Sequence, residues 1–200
     1  MNNWKTYFIK KSNQTTIIVT AGLGLVVIPS LFPFLLWIQN RKGKQLNDPI
    51  LDLLPSLDLS WPIFILMVIT IGYTVFQARC NPPLIIKTIA AYFCMQIFRS
   101  IMLLIVPLDP PNRLIYLMDP LVHNTFYSGN YITRDLFFSG HAATVFLLWL
   151  MCKKRIILIA AIGVSLMLLI QHIHYSIDIL AAPFFAWLSF KCLPKKYFGE

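Results

Sequence analysis

The sequence predicts an all-α integral membrane protein: one bundle of six transmembrane helices formed by residues 1–200, with both termini cytoplasmic. Three observations predict it. The 200 residues are 58% apolar and only 12% charged, against about half and about a quarter in soluble domains. The apolar residues gather in long runs, and six spans of about 20 residues each would take up about 120 residues, close to that apolar share. Lys and Arg stand in short clusters between the runs and are denser on alternate sides. Too little chain remains for a second domain larger than a hairpin.

The elements follow in order. Met1 to Lys11 is polar and basic and precedes a long apolar stretch. No small-residue cleavage site ends that stretch, so the first run is expected to be a retained span and not a removed signal peptide. The runs are Thr16 to Ile38, Trp61 to Phe76, Leu84 to Val106, Leu136 to Met151, Ile156 to Ile170 and Ile177 to Leu193. The last three are short or broken by polar residues. Gly22, Gly24, Pro29 and Pro33 weaken the first helix and predict a kink there. No internal repeat or low-complexity segment is present.

Orientation follows from the basic residues. Ten of them (Lys5, Lys10, Lys11, Arg79, Lys153, Lys154, Arg155, Lys191, Lys195 and Lys196) fall on one side, and five (Arg41, Lys42, Lys44, Arg113 and Arg134) on the other. The richer side is expected to be cytoplasmic. Asp48, Asp52, Asp58, Asp109, Asp119, Asp135 and Asp178 then lie at the outer side or its edge, and only Glu200 is inside. Cys80, Cys152 and Cys192 fall on the reducing side, as free thiols would. The net charge of +9 does not point to nucleic acid, because the cations are not gathered on one face.

Ionisable groups in or beside spans are costly and mark candidate sites. Four places qualify: Ser139-Gly140-His141 at the start of span four, His172 to Asp178 between spans five and six, Arg99 inside span three, and Asp48 to Pro55 in the first outer loop. The charge count alone puts all four at the outer end. A His oriented by a carboxylate can attack phosphorus or remove a proton, and His174 and Asp178, four apart, would share a helix face. His141 can protonate a leaving oxygen. Arg99, Ser139 and the amides opening span four are donors suited to phosphoryl oxygens.

Plainer readings stand beside these. Ser139 with Gly140 is also an ordinary helix cap. The His174 and Asp178 pair can be a structural tie, and the Arg99 stem can snorkel outward. Asp48, Asp52 and Asp58 read as turn residues, and His123 as a solvated loop residue. His172 and His174, two apart, would diverge on a helix, which leaves zinc a weak alternative; His172 is expected to orient a neighbour or face the headgroups. The heights of His141 and His174 match only if span four runs on through Lys154 and span five starts near Leu158, and that extension is expected.

Asp135-Leu136-Phe137-Phe138-Ser139-Gly140-His141, with His174-Tyr175-Ser176-Ile177-Asp178 beginning 33 residues after His141, resembles the sphingomyelin synthase family, relatives of the type 2 phosphatidic acid phosphatases. The family patterns are Gly-Asp-x-x-x-Ser-Gly-His-Thr and His-Tyr-Thr-x-Asp-Val. Leu46 to Pro55 is similar to its first-loop Leu-Pro-Asp segment, and Arg99 with Pro107 and Pro110 to the end of its third span. Thr133 and Arg134 replace the Cys-Gly that often precedes the aspartate, Ala142 replaces Thr, and Ser176 replaces Thr. The Lys-x6-Arg-Pro and Ser-Arg features of the phosphatase branch are missing, with Leu168 where the second Arg would fall. That favours the synthase branch.

The resemblance implies catalysis by His141, His174 and Asp178, with Arg99, Asp135, Ser139, Gly140 and Tyr175 binding substrate. His174 would take the phospho-headgroup, phosphocholine or phosphoethanolamine, from a glycerophospholipid. His141 would protonate the departing diacylglycerol and then deprotonate a ceramide-like acceptor. No metal or organic cofactor is implied. Partners are the lipid donor, a ceramide or diacylglycerol-type lipid and the membrane, with no nucleic acid; an oligomer is compatible. The site would be exoplasmic, in a bacterial inner membrane or a Golgi or plasma membrane. The alternatives are a phosphatase or phospholipase C-like hydrolase using the same histidines, and a non-catalytic lipid-binding or transport protein.

Overall fold

The structure, a computed structural model, describes residues 4–118 and 132–193. Asp119, His123, Lys195, Lys196 and Glu200 lie outside the described residues. Among the described residues all regular structure is helical, apart from one isolated bridge between Lys44 and Leu108. The helices are α1 (Trp4–Ile9), α2 (Lys11–Gln39), α3 (Pro49–Asp52), α4 (Ser60–Ala78), α5 (Pro82–Ile105), α6 (Gly140–Cys152), α7 (Arg155–Ile170) and α8 (Ser176–Lys191).

Each of the six apolar runs is a helix. Three helices, Asn13–Gln39 within α2 together with α4 and α5, are long and apolar enough to cross a membrane. Helices α6, α7 and α8 are shorter, at 13, 16 and 16 residues. Ile18, Leu25 and Val26 on α2, Ile69 and Phe76 on α4, Ile159 on α7 and Leu180 on α8 are exposed apolar side chains. A belt of that kind is compatible with a membrane protein. Helix α2 stays helical through Gly22, Gly24, Pro29 and Pro33. At Gly24 a Cβ would stand 2.9 Å from the Phe93 ring, so glycine lets α2 lie close against α5.

The core is built around α6, which packs on α8, α7, α5 and α4. A helix that is apolar on all sides is stable only when surrounded, and Ala142, Ala143, Val145, Leu147 and Leu150 are all buried. Ala182 and Ala186, four apart on α8, are fully buried and give that helix a small-residue face for close approach.

Two expectations are overturned. Helix α6 does not run on through Lys154: it stops at Cys152, and α7 begins at Arg155. Lys153 takes a left-handed conformation with φ of 54°, and its amide closes the helix on the Trp149 carbonyl at 2.7 Å. The start of α6 nevertheless meets the first turn of α8, where the Ser139 amide bonds the Asp178 carbonyl, and the helix lengths allow it. Helix α7 ends at Ile170, so residues 171–175 do not climb at 1.5 Å each, and 13 residues of α6 face 16 of α7, about 5 Å longer. The fourth run also begins its helix at Gly140 and not Leu136, because Ser139 is the cap.

Candidate functional site

Helices α6 and α8 begin side by side. The Ser139 amide donates to the Asp178 carbonyl at 3.3 Å, and the Ser139 hydroxyl caps α6 by accepting from the Ala142 amide at 3.4 Å. Ser139 is fully buried. His141 is the second residue of α6 and half-buried.

Arg99 anchors the segment that leads into α6. It is 7% exposed, so its head does not snorkel to solvent. Its Nη2 donates to the Asp135 carbonyl at 2.8 Å and to Asp135 Oδ2 at 2.9 Å, and its Nε donates to the Phe138 carbonyl at 3.1 Å. A Cβ at Gly140 would stand 3.1 Å from the guanidinium carbon, so glycine lets the cation lie against the first turn of α6. The two substrate-binding candidates Arg99 and Asp135 therefore form a mutual ion pair.

His174 is 3% exposed, and its Nδ1 lies 3.4 Å from Oδ2 of the fully buried Asp178. That is ion-pair range, off the geometry of a hydrogen bond: Nδ1 and Asp178 Oδ1 are both buried with no hydrogen-bond partner. Unpaired buried polar atoms are uncommon, and their convergence makes this pair the candidate site. The expected shared helix face is replaced by a cap. His174 precedes α8, and Asp178 reaches back to accept the Tyr175 amide at 2.9 Å, which brings its carboxyl to the imidazole.

His172 is not a headgroup-facing residue. It is 2% exposed and has φ of 56°. Its amide donates to the Leu169 carbonyl at 2.9 Å and the Ile173 amide to Leu168 at 3.3 Å. This pair of bonds is a Schellman closure with His172 at the left-handed position. Its Nδ1 stands 3.1 Å from the Ile170 carbonyl, and its Nε2 is buried with no partner. Among the described residues no group of three or more His, Cys, Asp or Glu could hold a metal ion.

The histidine turn is held from outside by two connecting segments. Tyr175 is buried; its hydroxyl donates to the Asp109 carbonyl at 2.9 Å and accepts from the Leu46 amide at 3.2 Å. Burial raises the Tyr175 phenol above its ordinary range, against the Leu46 amide, which favours the ionised form. Asp48 Oδ2 accepts the Ser176 amide at 2.6 Å and Oδ1 the Ser176 hydroxyl at 3.1 Å, while Oδ1 also caps α3 at Ile50 and Leu51. Burial alone would lift the Asp48 carboxyl; the Ser176, Leu51 and Ile50 donors outweigh it and hold the group below the usual range.

Sequence reasoning missed Gln171. It is fully buried; its Nε2 donates to Ser60 Oγ at 2.8 Å and the Tyr116 carbonyl at 3.2 Å, and its Oε1 accepts from the Leu59 amide at 3.2 Å. One amide thus ties the end of α7 to both connecting segments. The available signal was a lone Gln closing an apolar run.

The fold and site define an all-helical chain, compatible with a membrane, in which the Ser-Gly-His and His-Tyr-Ser-Ile-Asp segments meet at one end of a bundle. No family model, curated protein or solved structure matches the chain.

Proposed function

We propose that the protein is a membrane transferase that moves a phospho-headgroup from a glycerophospholipid to a ceramide-like alcohol through a phosphohistidine. One observation supports the reading: the Ser139 amide donates to the Asp178 carbonyl at 3.3 Å, which joins the start of α6, two residues before His141, to the residue that is paired with His174. In this reading α2 and α4 to α8 cross the bilayer, both termini are cytoplasmic and the site faces the exoplasmic side.

With Nδ1 turned to Asp178, His174 presents Nε2 to phosphorus. The N–P bond forms as the P–O bond to the glycerol breaks, and His141 gives its proton to the departing diacylglycerol oxygen. His141 then takes the proton of the acceptor hydroxyl, whose oxygen attacks phosphorus and breaks the N–P bond. Microscopic reversibility lets one residue serve both steps. Asp178 steadies the imidazolium, and amides at the start of α6 suit the charge growing on the phosphoryl oxygens. Arg99 acts by fixing the 135–140 segment. Helix α6, at 13 residues, spans only about 20 Å of a hydrocarbon layer about 30 Å thick. The site is then recessed beneath the headgroups, where acyl-linked substrates reach it sideways.

The test incubates purified protein with headgroup-labelled phosphatidylcholine or phosphatidylethanolamine, with and without ceramide. Labelled sphingolipid that forms only with ceramide is the expected result. Equal release of labelled headgroup phosphate in both tubes would make the protein a hydrolase. No turnover of either kind would leave a lipid-binding protein.

A further inference from the structure

We propose that Arg134 and Asp109 form a positioning strut that sets the spacing between the two halves of the candidate site, the His141 half at the start of α6 and the His174 half before α8. The strut deepens the transferase reading, and rests on that reading for what the spacing serves.

Arg134 is fixed to the end of α2. Its Nη1 donates to the Gln39 carbonyl at 2.6 Å and its amide to Gln39 Oε1 at 3.1 Å, an acceptor shared with the Thr133 amide at 2.8 Å. Gln39 Nε2 in turn donates to the Thr133 hydroxyl at 3.2 Å. Arg134 Nε then donates to Asp109 Oδ1 at 2.6 Å. A guanidinium is planar and rigid, so bonds from two of its nitrogens fix their partners relative to one another. The first connecting segment seats Asp109 as well: Oδ1 also accepts the Gly43 amide at 3.3 Å, and the Asp109 amide donates to the Lys44 carbonyl at 3.2 Å.

One path leads from this pair to each half. Arg134 precedes Asp135, which holds Arg99, and Arg99 holds the Phe138 carbonyl just ahead of α6. The Asp109 carbonyl accepts the Tyr175 hydroxyl at 2.9 Å. Tyr175 is 1% exposed, so its ring cannot swing aside, and it follows His174 directly. The two halves also touch through the Ser139 amide and the Asp178 carbonyl, but at 3.3 Å that bond is long. The strut bridges the same gap from outside with shorter bonds. In the transferase reading His141 and His174 act on one phosphorus atom, and a misplacement of about 1 Å can cost about a hundredfold in rate. An ion pair with side chains 28% and 31% exposed adds little to stability. A small effect on the fold beside a large one on the rate therefore separates positioning from support.

The test compares R134Q, D109A and D109N with the natural full-length chain in detergent micelles. R134Q and D109A should each lower kcat for ceramide-dependent headgroup transfer about tenfold, with KM for phosphatidylethanolamine within about twofold. The thermal midpoint should move by only a few degrees. D109N keeps an acceptor at Oδ1 and should keep kcat, and the double variant R134Q/D109A should be no slower than the slower single one. Amide hydrogen exchange, read by peptide mass spectrometry, is independent of turnover. In R134Q the peptides holding Ser139 and Tyr175 should both exchange faster, while the middle of α6 stays protected. Faster exchange at Ser139 alone would make Arg134 a local anchor and overturn the strut, as would natural kcat in a folded R134Q protein; a loss carried by KM would move Arg134 to substrate binding. If neither variant folds, the natural chain decides: in sub-denaturing urea the two peptides should open with one urea dependence, and separate openings would overturn the strut. Coupled exchange without ceramide-dependent transfer would sink the transferase reading and leave the strut; transfer with uncoupled exchange would do the reverse.

Discussion

Asp48 and Ser176 stand 128 residues apart in sequence and share two hydrogen bonds, at 2.6 Å from the amide and 3.1 Å from the hydroxyl. The first connecting segment thereby clamps the start of α8, two residues from the carboxyl group that faces His174.

Because those donors favour the ionised form, the folded-state pKa of Asp48 is depressed. The unfolded chain then binds the proton more tightly, so this contribution is present above the unfolded value of about 3.9 and is lost as pH falls through the folded one. Thermal unfolding in detergent should show stability dropping on the acid side. Asp48→Asn should lower neutral-pH stability by about 1–2 kcal/mol and flatten that acid limb. An unchanged limb in the variant would place the titration elsewhere.

The Arg99 and Asp135 pair has side chains 9% and 20% exposed. Removing one partner leaves the other largely buried and unpaired, so Arg99→Met or Asp135→Asn should each cost about 3 kcal/mol. Arg99→Met also frees the Phe138 carbonyl. The double variant should cost less than the sum of the singles, since neither charge is then left alone. A strictly additive double mutant would show that the pair is not coupled.

His172 is expected to act on the fold alone. Val at φ of 56° is strained, and His172→Val should cost about 2 kcal/mol. His172→Gly suits the left-handed position and should stay folded with ceramide-dependent transfer intact. Lost turnover in a folded His172→Gly protein would move this residue into the chemistry.

On the proposed transferase reading, in which the His174 imidazole is the nucleophile, His174→Ala should abolish turnover with secondary structure retained. Asp178→Asn should lower kcat about a hundredfold, by mis-orienting the ring and withdrawing charge from the imidazolium. Circular dichroism separates these losses from unfolding. A folded His174→Ala protein that still transfers headgroups would end the catalytic assignment.

Much of the architecture was legible because a long apolar helix is a local property. Each of the six runs is a helix, and their ends are off by a few residues where capping decides: Ser139 holds Leu136 to Phe138 out of α6, and Lys153 ends it. The extension through Lys154 failed because one residue in a left-handed conformation is invisible to hydropathy. His172 shows the same blindness, since a histidine at that position is recognised only by the backbone bonds around it. Asp48 was read as a turn residue, and it does cap α3; its hold on Ser176 depends on a contact that no local pattern encodes.

The sequence by itself determined the helical class, the runs and the residue types available for phosphoryl chemistry, because burial of apolar surface and the spacing of polar groups follow from composition and order. Only the tertiary structure decided that Arg99 pairs with Asp135, that Gln171 knots both connecting segments to the end of α7, and that Asp178 reaches His174 through a cap. Those outcomes depend on distances between segments far apart in the chain, where a few tenths of an ångström separate a hydrogen bond from an unpaired buried atom.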